Sequence, residues 1–371
     1  MVVTPILQFG TSRFLQAHAD LFVSVARENG QQAGPITVVQ SSGDPARRAR
    51  LEALEKGFPV RIEGISDGEP VQETVQVTSV ERTLSTATDW LEVTRVFVDE
   101  AEIILSNTGD TGFEPSDADS GNKFEQAMSY PAKLRLLLQS RFATSGRGIQ
   151  IMPMELIVDN GLVLRNRVLE LAQNDPEAFR NYLQRKVVWV NSLVDRIVSQ
   201  PLEPAGAVAE PYALWAIEDQ PVLKCPCKHP SVQVVPNLAQ IEALKLFVLN
   251  LGHTVLAEHW LQSQGDQGAF VREMVAEPLT RHHLEQVYQR EVRPAFAAAG
   301  MKTEFDDYVQ STIERFENPY LDHRIADIAQ NHRQKIERRI KALLDFAIEH
   351  NDRSPKPVLT EIVGRQIRDA S

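Results

Sequence analysis

The stretch that most restricts the fold lies at the start of the chain, where "PILQFGTSRFLQAHADLFVSVARENG" runs into "PITVVQSS". "VVTPILQFG" reads as a short buried strand ending at Gly10. In the residues that follow, Phe14, Leu15, Leu21, Phe22 and Val25 recur at helical spacing. A polar turn from Gly30 to Gly34 precedes the second apolar strand. Strand, tight glycine turn, helix and parallel strand open a doubly wound sheet, because a right-handed crossover returns the chain beside its first strand. "AEIILSN" at 101–107 and "GIQIMPMEL" at 148–156 supply two more buried strands, and the polar, glycine-rich "TGDTGFEPSDADSGNK" between them reads as a loop.

Beyond Pro236 strand-like runs stop and helical patterns continue nearly to the end. The expected fold is therefore α/β: a Rossmann-type dinucleotide-binding domain over residues 1–235, then a mainly α-helical substrate domain over 236–371. With 50 acidic against 39 basic residues the formal charge is -11, and the longest basic cluster, "RQKIERRIKALL", alternates with apolar residues as a solvated helix face. Such a chain repels a phosphate backbone, so nucleic acid is not an expected partner. No run approaches the roughly eighteen apolar residues of a membrane span, and "MVVTPILQFG" lacks a basic leader, so a cytoplasmic location is expected. Cys225 and Cys227 in "CPCKH" could offer thiolates beside His229, but a closed zinc site needs four ligands; no metal is expected.

The dinucleotide fingerprint needs glycines for a tight turn and close backbone approach, and "GTSRFL" keeps only Gly10. Ser12 stands at the second glycine position, where its hydroxyl could donate to a phosphate. No acidic residue occupies positions 40–42 to take ribose hydroxyls, while Arg47 and Arg48 nearby could neutralise a 2′-phosphate. A second buried-looking segment, "PNLAQIEALKLFVLNLGHTVLAEHWLQ", predicts one helix over about 238–262. At about 100° per residue its apolar positions cover nearly the whole circumference, yet Glu242, Lys245 and His253 share one stripe, with Asn250 further round. A lysine on a buried helix needs a partner or a chemical purpose. An ion pair between Lys245 and Glu242 would satisfy the first; base catalysis would be the second.

Several separate motifs resemble the polyol-specific long-chain dehydrogenase family, which includes mannitol dehydrogenases and the tagaturonate and fructuronate reductases. These are "LQFGTSRFLQAHAD", "LSNTGDTGF", "VNSLVDRI", "EPYALWAIED", "RFENPYLDHRIADIA", and the lysine, asparagine and histidine at 245, 250 and 253. The resemblance implies a metal-independent dehydrogenase with Lys245 as general base, Asn250 as donor to the developing alkoxide, and Glu242 linking Lys245 to solvent. It implies that His253 and Asp195 position substrate hydroxyls, and that Gly10, Thr11, Ser12, Arg13, Phe14, Asn107 and Thr108 bind the cofactor. NAD(H) is expected from the branch resembled, with NADP(H) open.

Many members carry Asp-Asn where this chain has Glu155 and Leu156, and leucine cannot donate to an oxyanion. The Glu-Leu-Ile wording resembles the tagaturonate reductase branch, so a sugar acid is the expected substrate, with Arg315, Arg324 and His323 as candidates for its carboxylate. The alternatives are a mannitol or mannitol-phosphate dehydrogenase, an inactive sugar-acid-binding homologue, and a metal-binding interaction module. A monomer or weak homo-oligomer is expected.

Overall fold

The structure, a computed structural model, describes residues 2–109, 112–263 and 268–368. The chain divides into two compact units: residues 1–62, 73–209 and 213–238 form the first, and 63–72, 210–212 and 239–371 the second.

The first unit is built on a six-stranded sheet whose neighbours, from edge to edge, are Val80–Ser85, Ile36–Gln40, Ile6–Phe9, Ile103–Ser106, Ile149–Pro153 and Val187–Trp189. Every pairing is parallel. Numbered along the chain within this sheet, the order is 3-2-1-4-5-6, the doubly wound arrangement expected from the sequence. The four inner strands are buried throughout, which explains why they read as continuous apolar runs. One core cluster joins Leu7, Phe9 and Val39 to Val96 and Phe97 of helix Trp90–Asp99 and to Leu134 and Leu137 of helix Tyr130–Thr144. The strand order reverses between Ile6–Phe9 and Ile103–Ser106, and a crevice at that carboxyl edge is where such sheets bind ligands. The loop expected after the fourth strand holds one 3₁₀ turn, Asp117–Ser120; its residues 110 and 111 lie outside the described residues.

Two smaller sheets escaped the sequence reading. Ser192–Asp195 pairs antiparallel with Leu214–Glu218, so the "VNSLVDRI" and "EPYALWAIED" motifs lie side by side, with Asp195 opposite Leu214. Strands Phe58–Ser66 and Glu69–Val77 are neighbours in a four-stranded sheet, joined at Asp67 and Gly68, both at positive φ.

Over residues 239–263 and 268–368 the second unit is mainly helical. Its core gathers Phe247, Leu251, Val255, Phe296, Phe305 and Leu343, with Phe346 packed against it. The helix predicted over 238–262 forms, but not as one α-helix. Ala239–Leu244 and Leu251–Gln262 are α-helical, and Lys245–Asn250 between them is a wide π turn. Widening displaces carbonyls from their usual partners, and side chains must satisfy them. The Tyr288 hydroxyl donates to the Val248 carbonyl at 2.9 Å, passing so close to Gly252 that a Cβ there would lie 1.9 Å from the phenolic oxygen. The Asn250 carbonyl accepts from the Thr254 hydroxyl at 2.9 Å and from Arg339 at 3.0 Å. No described helix is long and apolar enough to cross a membrane.

Candidate active site

A cleft of about 610 Å³ opens at the reversal point of the large sheet, lined by Gly10, Thr11, Ser12, Asn107 and Thr108 among others. Gly10 is obligatory there. Its φ is +128°, and a Cβ would lie 2.6 Å from the Asn107 carbonyl oxygen. Ser12 does not hold its hydroxyl in reserve for a phosphate. The oxygen accepts from the Leu15 amide, capping the helix, and the proton goes to Asn107 Oδ1 at 3.2 Å. Asn107 in turn donates to the Met154 carbonyl at 2.9 Å. Arg13 and Phe14, expected at the cofactor, turn elsewhere: Arg13 pairs with Glu203 at 2.7 Å and the Gly206 carbonyl, and Phe14 stacks on His18 with ring centroids 4.7 Å apart.

Glu155 is buried. It accepts from the Ser106 hydroxyl at 3.0 Å and from both the amide and the hydroxyl of Thr108 at 3.0 and 2.9 Å. It thereby pins the Ser106–Asn107–Thr108 backbone at the cleft wall, while burial pushes its carboxyl above the usual carboxylate range. Leu156 beside it is 70% exposed. Two further buried groups carry no mark in the residue pattern. His18 Nε2 lies 2.9 Å from the Leu214 carbonyl, and burial pulls its imidazole down to about 3. Asp20, beside Gln8, has neither carboxyl oxygen partnered among the described residues, and burial pushes it up to about 8.

In the second unit the wide turn carries Lys245 at its first position and Asn250 at its last, with His253 following in the α-helix and Glu242 preceding. The sequence wheel assumed a uniform 3.6-residue period, which the π turn breaks. His253 is buried against Phe316 and His323, with centroids 4.5 and 4.8 Å away, and its Nε2 has no partner among the described residues. Burial first, then His323, Arg339, Arg315 and Lys335, holds this imidazole well below its ordinary value and therefore neutral. Arg339 and Lys335 were not expected from the sequence. Arg339 donates to the Asn250 carbonyl and the Thr254 hydroxyl, Lys335 to the Ile328 carbonyl at 2.6 Å, and neither has a carboxylate within ion-pair distance among the described residues.

Arg315 corrects the sequence expectation. It is buried in a bidentate pair with Glu210, Nε to Oε2 at 3.0 Å and Nη2 to Oε1 at 2.8 Å, and lies over the Tyr212 ring. Its fork is already filled by an internal carboxylate. Arg324 is exposed, and its backbone bridges Phe270. Asp195 is buried at the end of its strand in the first unit. In the "CPCKH" loop the Cys225 thiol donates to the Cys227 carbonyl, and His229 Nδ1 accepts from the Ser231 amide. Among the described residues no group of three His, Cys, Asp or Glu could hold a metal ion.

The Rossmann domain of mannitol dehydrogenases matches residues 4–228, and their C-terminal domain matches 237–367. The chain belongs to the mannitol dehydrogenase family. It is an NAD(P)-dependent oxidoreductase acting on a CH–OH group of a polyol or sugar acid. Similar curated proteins include the altronate oxidoreductase of Halalkalibacterium halodurans, 28% identical over 95% of this chain and 73% of that one. That of Bacillus subtilis is 27% identical over 92% and 75%. Among solved structures, a substrate-free D-sorbitol dehydrogenase superposes with a TM-score of 0.82 at 20% identity, covering 94% of this chain and 77% of its own. The Pseudomonas fluorescens mannitol 2-dehydrogenase, in complex with NAD and D-mannitol, gives 0.71 at 17%, covering 98% and 84%.

Proposed function

We propose that this member of the family interconverts a sugar acid of the altronate type and its keto form, with residues 1–235 holding the dinucleotide and 236–371 supplying the acid–base chemistry. The observation that carries the choice of a sugar acid is the pair of cations, Arg339 and Lys335, beside the neutral, unpartnered His253. A neutral polyol offers such charges only hydroxyl acceptors, whereas a carboxylate offers a counter-charge and stronger, charge-assisted hydrogen bonds. The altronate oxidoreductases among the relatives support the same reading.

A dinucleotide bound in the Gly10–Asn107 cleft would supply the hydride acceptor for oxidation and the donor for reduction. Lys245 takes the hydroxyl proton during oxidation and returns it during reduction, and Asn250 donates to the developing alkoxide. His253 Nε2 hydrogen-bonds a substrate hydroxyl, with Asp195 as a further hydroxyl partner and Glu242 relaying protons from Lys245. His323 and Arg324 belong to the substrate end, and Arg339 replaces Arg315 as its principal cation. The test is turnover of altronate and mannitol by the parent and two variants. Lys245→Ala should lower kcat by about 10²–10⁴-fold while cofactor binding persists. Arg339→Ala should raise KM for altronate far more than for mannitol. Comparable kcat/KM for the two substrates in the parent would sink the sugar-acid reading.

A further inference from the structure

Beyond the second strand of the large sheet, the cleft is walled by Gln40, Ser41, Ser42, Arg47, Arg50 and Lys133. In a doubly wound domain this is where the adenosine ribose lies, and an enzyme for NAD places a carboxylate there to accept both ribose hydroxyls. None is present at the strand end. The Gln40 amide is turned back onto the Ser42 hydroxyl and the Asp44 carbonyl. Asp44, the nearest acid, caps the Ala46 amide at 3.0 Å and leans towards Arg47 at 3.6 Å. Among the described lining residues Glu114 is the sole carboxylate, against three cations.

Arg47 has Asp44 beside it, but Lys133 and Arg50 have no ion-pair partner among the described residues. Lys133 is 5% exposed, and its ammonium reaches the Ser41 carbonyl at 3.3 Å with no carboxylate in ion-pair range among the described residues. Arg50 Nε and the Ser41 hydroxyl are buried without partners. Burial holds both Lys133 and Arg50 below their ordinary values; Arg13 and Arg47 add to this at Arg50, while Asp119 at Lys133 and Glu203 at Arg50 offset part of it. Arg48, which the sequence put forward with Arg47, faces Glu52 instead. A buried ammonium held by a single carbonyl, with a guanidinium Nε and a hydroxyl left without partners on the same cleft wall, indicates an anion supplied from outside. The pyrophosphate does not account for them, because it belongs at the Gly10 turn and the helix that begins at Arg13.

We propose that Ser41, Arg47, Arg50 and Lys133 bind a phosphate monoester on the adenosine ribose 2′-oxygen, so that this enzyme selects NADP(H) over NAD(H). The inference rests on the dehydrogenase reading of the cleft and adds its nucleotide specificity. Dissociation constants for NADPH and NADH, from nicotinamide fluorescence, and for 2′,5′-ADP and 5′-ADP, from calorimetry, test it without turnover. NADPH should bind at least tenfold more tightly than NADH, 2′,5′-ADP should exceed 5′-ADP similarly, and both gaps should narrow as salt rises. Lys133→Gln and Arg50→Gln should each bring the NADPH to NADH ratio towards one. Arg47→Gln, at an exposed position, should do so with no burden on folding. Equal or tighter binding of NADH, or a ratio that none of the three substitutions changes, overturns the proposal while leaving the enzyme a dehydrogenase. Failure of both dinucleotides to bind overturns both.

Discussion

Two cations buried to the same 5% exposure, Arg315 in the helical unit and Lys133 in the Rossmann unit, stand in opposite states. Arg315 has both oxygens of Glu210 on its fork and the Tyr212 ring centroid 4.3 Å from its guanidinium carbon. Lys133 has one backbone carbonyl. A buried charge with an internal partner is scaffold, since satisfying it required nothing from outside. One without a partner either surrenders its charge or receives a counter-ion with its ligand. Asp20 shows the first alternative, burial pushing its carboxyl up to about 8 and so favouring the protonated form at neutral pH. Residue type alone therefore misleads: the arginine that a sequence nominates for a substrate carboxylate is the one already neutralised.

The most severe way to break this contrast is Glu210→Ala, which strands Arg315 in the core. A loss of about 3–5 kcal/mol is expected from urea unfolding at neutral pH, as for other severed buried pairs. The double substitution Glu210→Leu with Arg315→Met should recover most of it. A single variant within about 0.5 kcal/mol of the parent would show that the pair is not scaffold.

A pH-dependent effect is expected at Asp20. Its carboxyl is raised from 3.8 to about 8, so folding takes up a proton between those values. The stability associated with that proton is fully present below pH 4 and is lost as pH rises through 8. Asp20→Asn removes the dependence. Its melting temperature should match the parent near pH 4 and exceed it increasingly up to pH 8.5, by about 2–4 °C for each kcal/mol gained. A constant difference across that range would mean that Asp20 carries no buried proton.

The sheet was legible because strands buried on both faces leave continuous apolar runs, and Gly10 because a tight turn follows the first of them. The hairpin of Phe58–Ser66 and Glu69–Val77 also left a signal. Its first strand alternates buried and half-buried residues, and Asp67-Gly68 is a strong turn dipeptide, so closer attention to two-residue loops would have found it. The π turn left none, because a helix apolar around most of its circumference has no phase in which a change of period shows. Lys245, Asn250 and His253 were recognisable as a spaced set. Arg315 and Glu210 are 105 residues apart, and only the fold brings them together. Arg339 read as part of a solvated basic helix face and Lys133 was not singled out, since a sequence does not show which charges end up buried away from carboxylates.

The least disruptive test of the contrast is Lys133→Met, which keeps the length of the side chain and removes its charge. Were Lys133 scaffold, the unliganded variant would melt several degrees below the parent, as Arg315 variants should. If it is instead a receptor, removing an ammonium with no carboxylate in ion-pair range among the described residues should leave the unliganded melting temperature unchanged or slightly raised, because the cost of burying it disappears along with its single carbonyl contact. The deficit should appear only with ligand. A dinucleotide at about 100 times its dissociation constant stabilises its protein by about 2.7 kcal/mol, and a tenfold weaker complex at the same concentration forfeits about 1.4 of that. Thermal melts of parent and variant, with and without NADPH, measure both quantities in one experiment. A variant that melts low without ligand yet keeps the full ligand-induced gain would assign Lys133 to the scaffold with Arg315, and the distinction between the two cations would be lost.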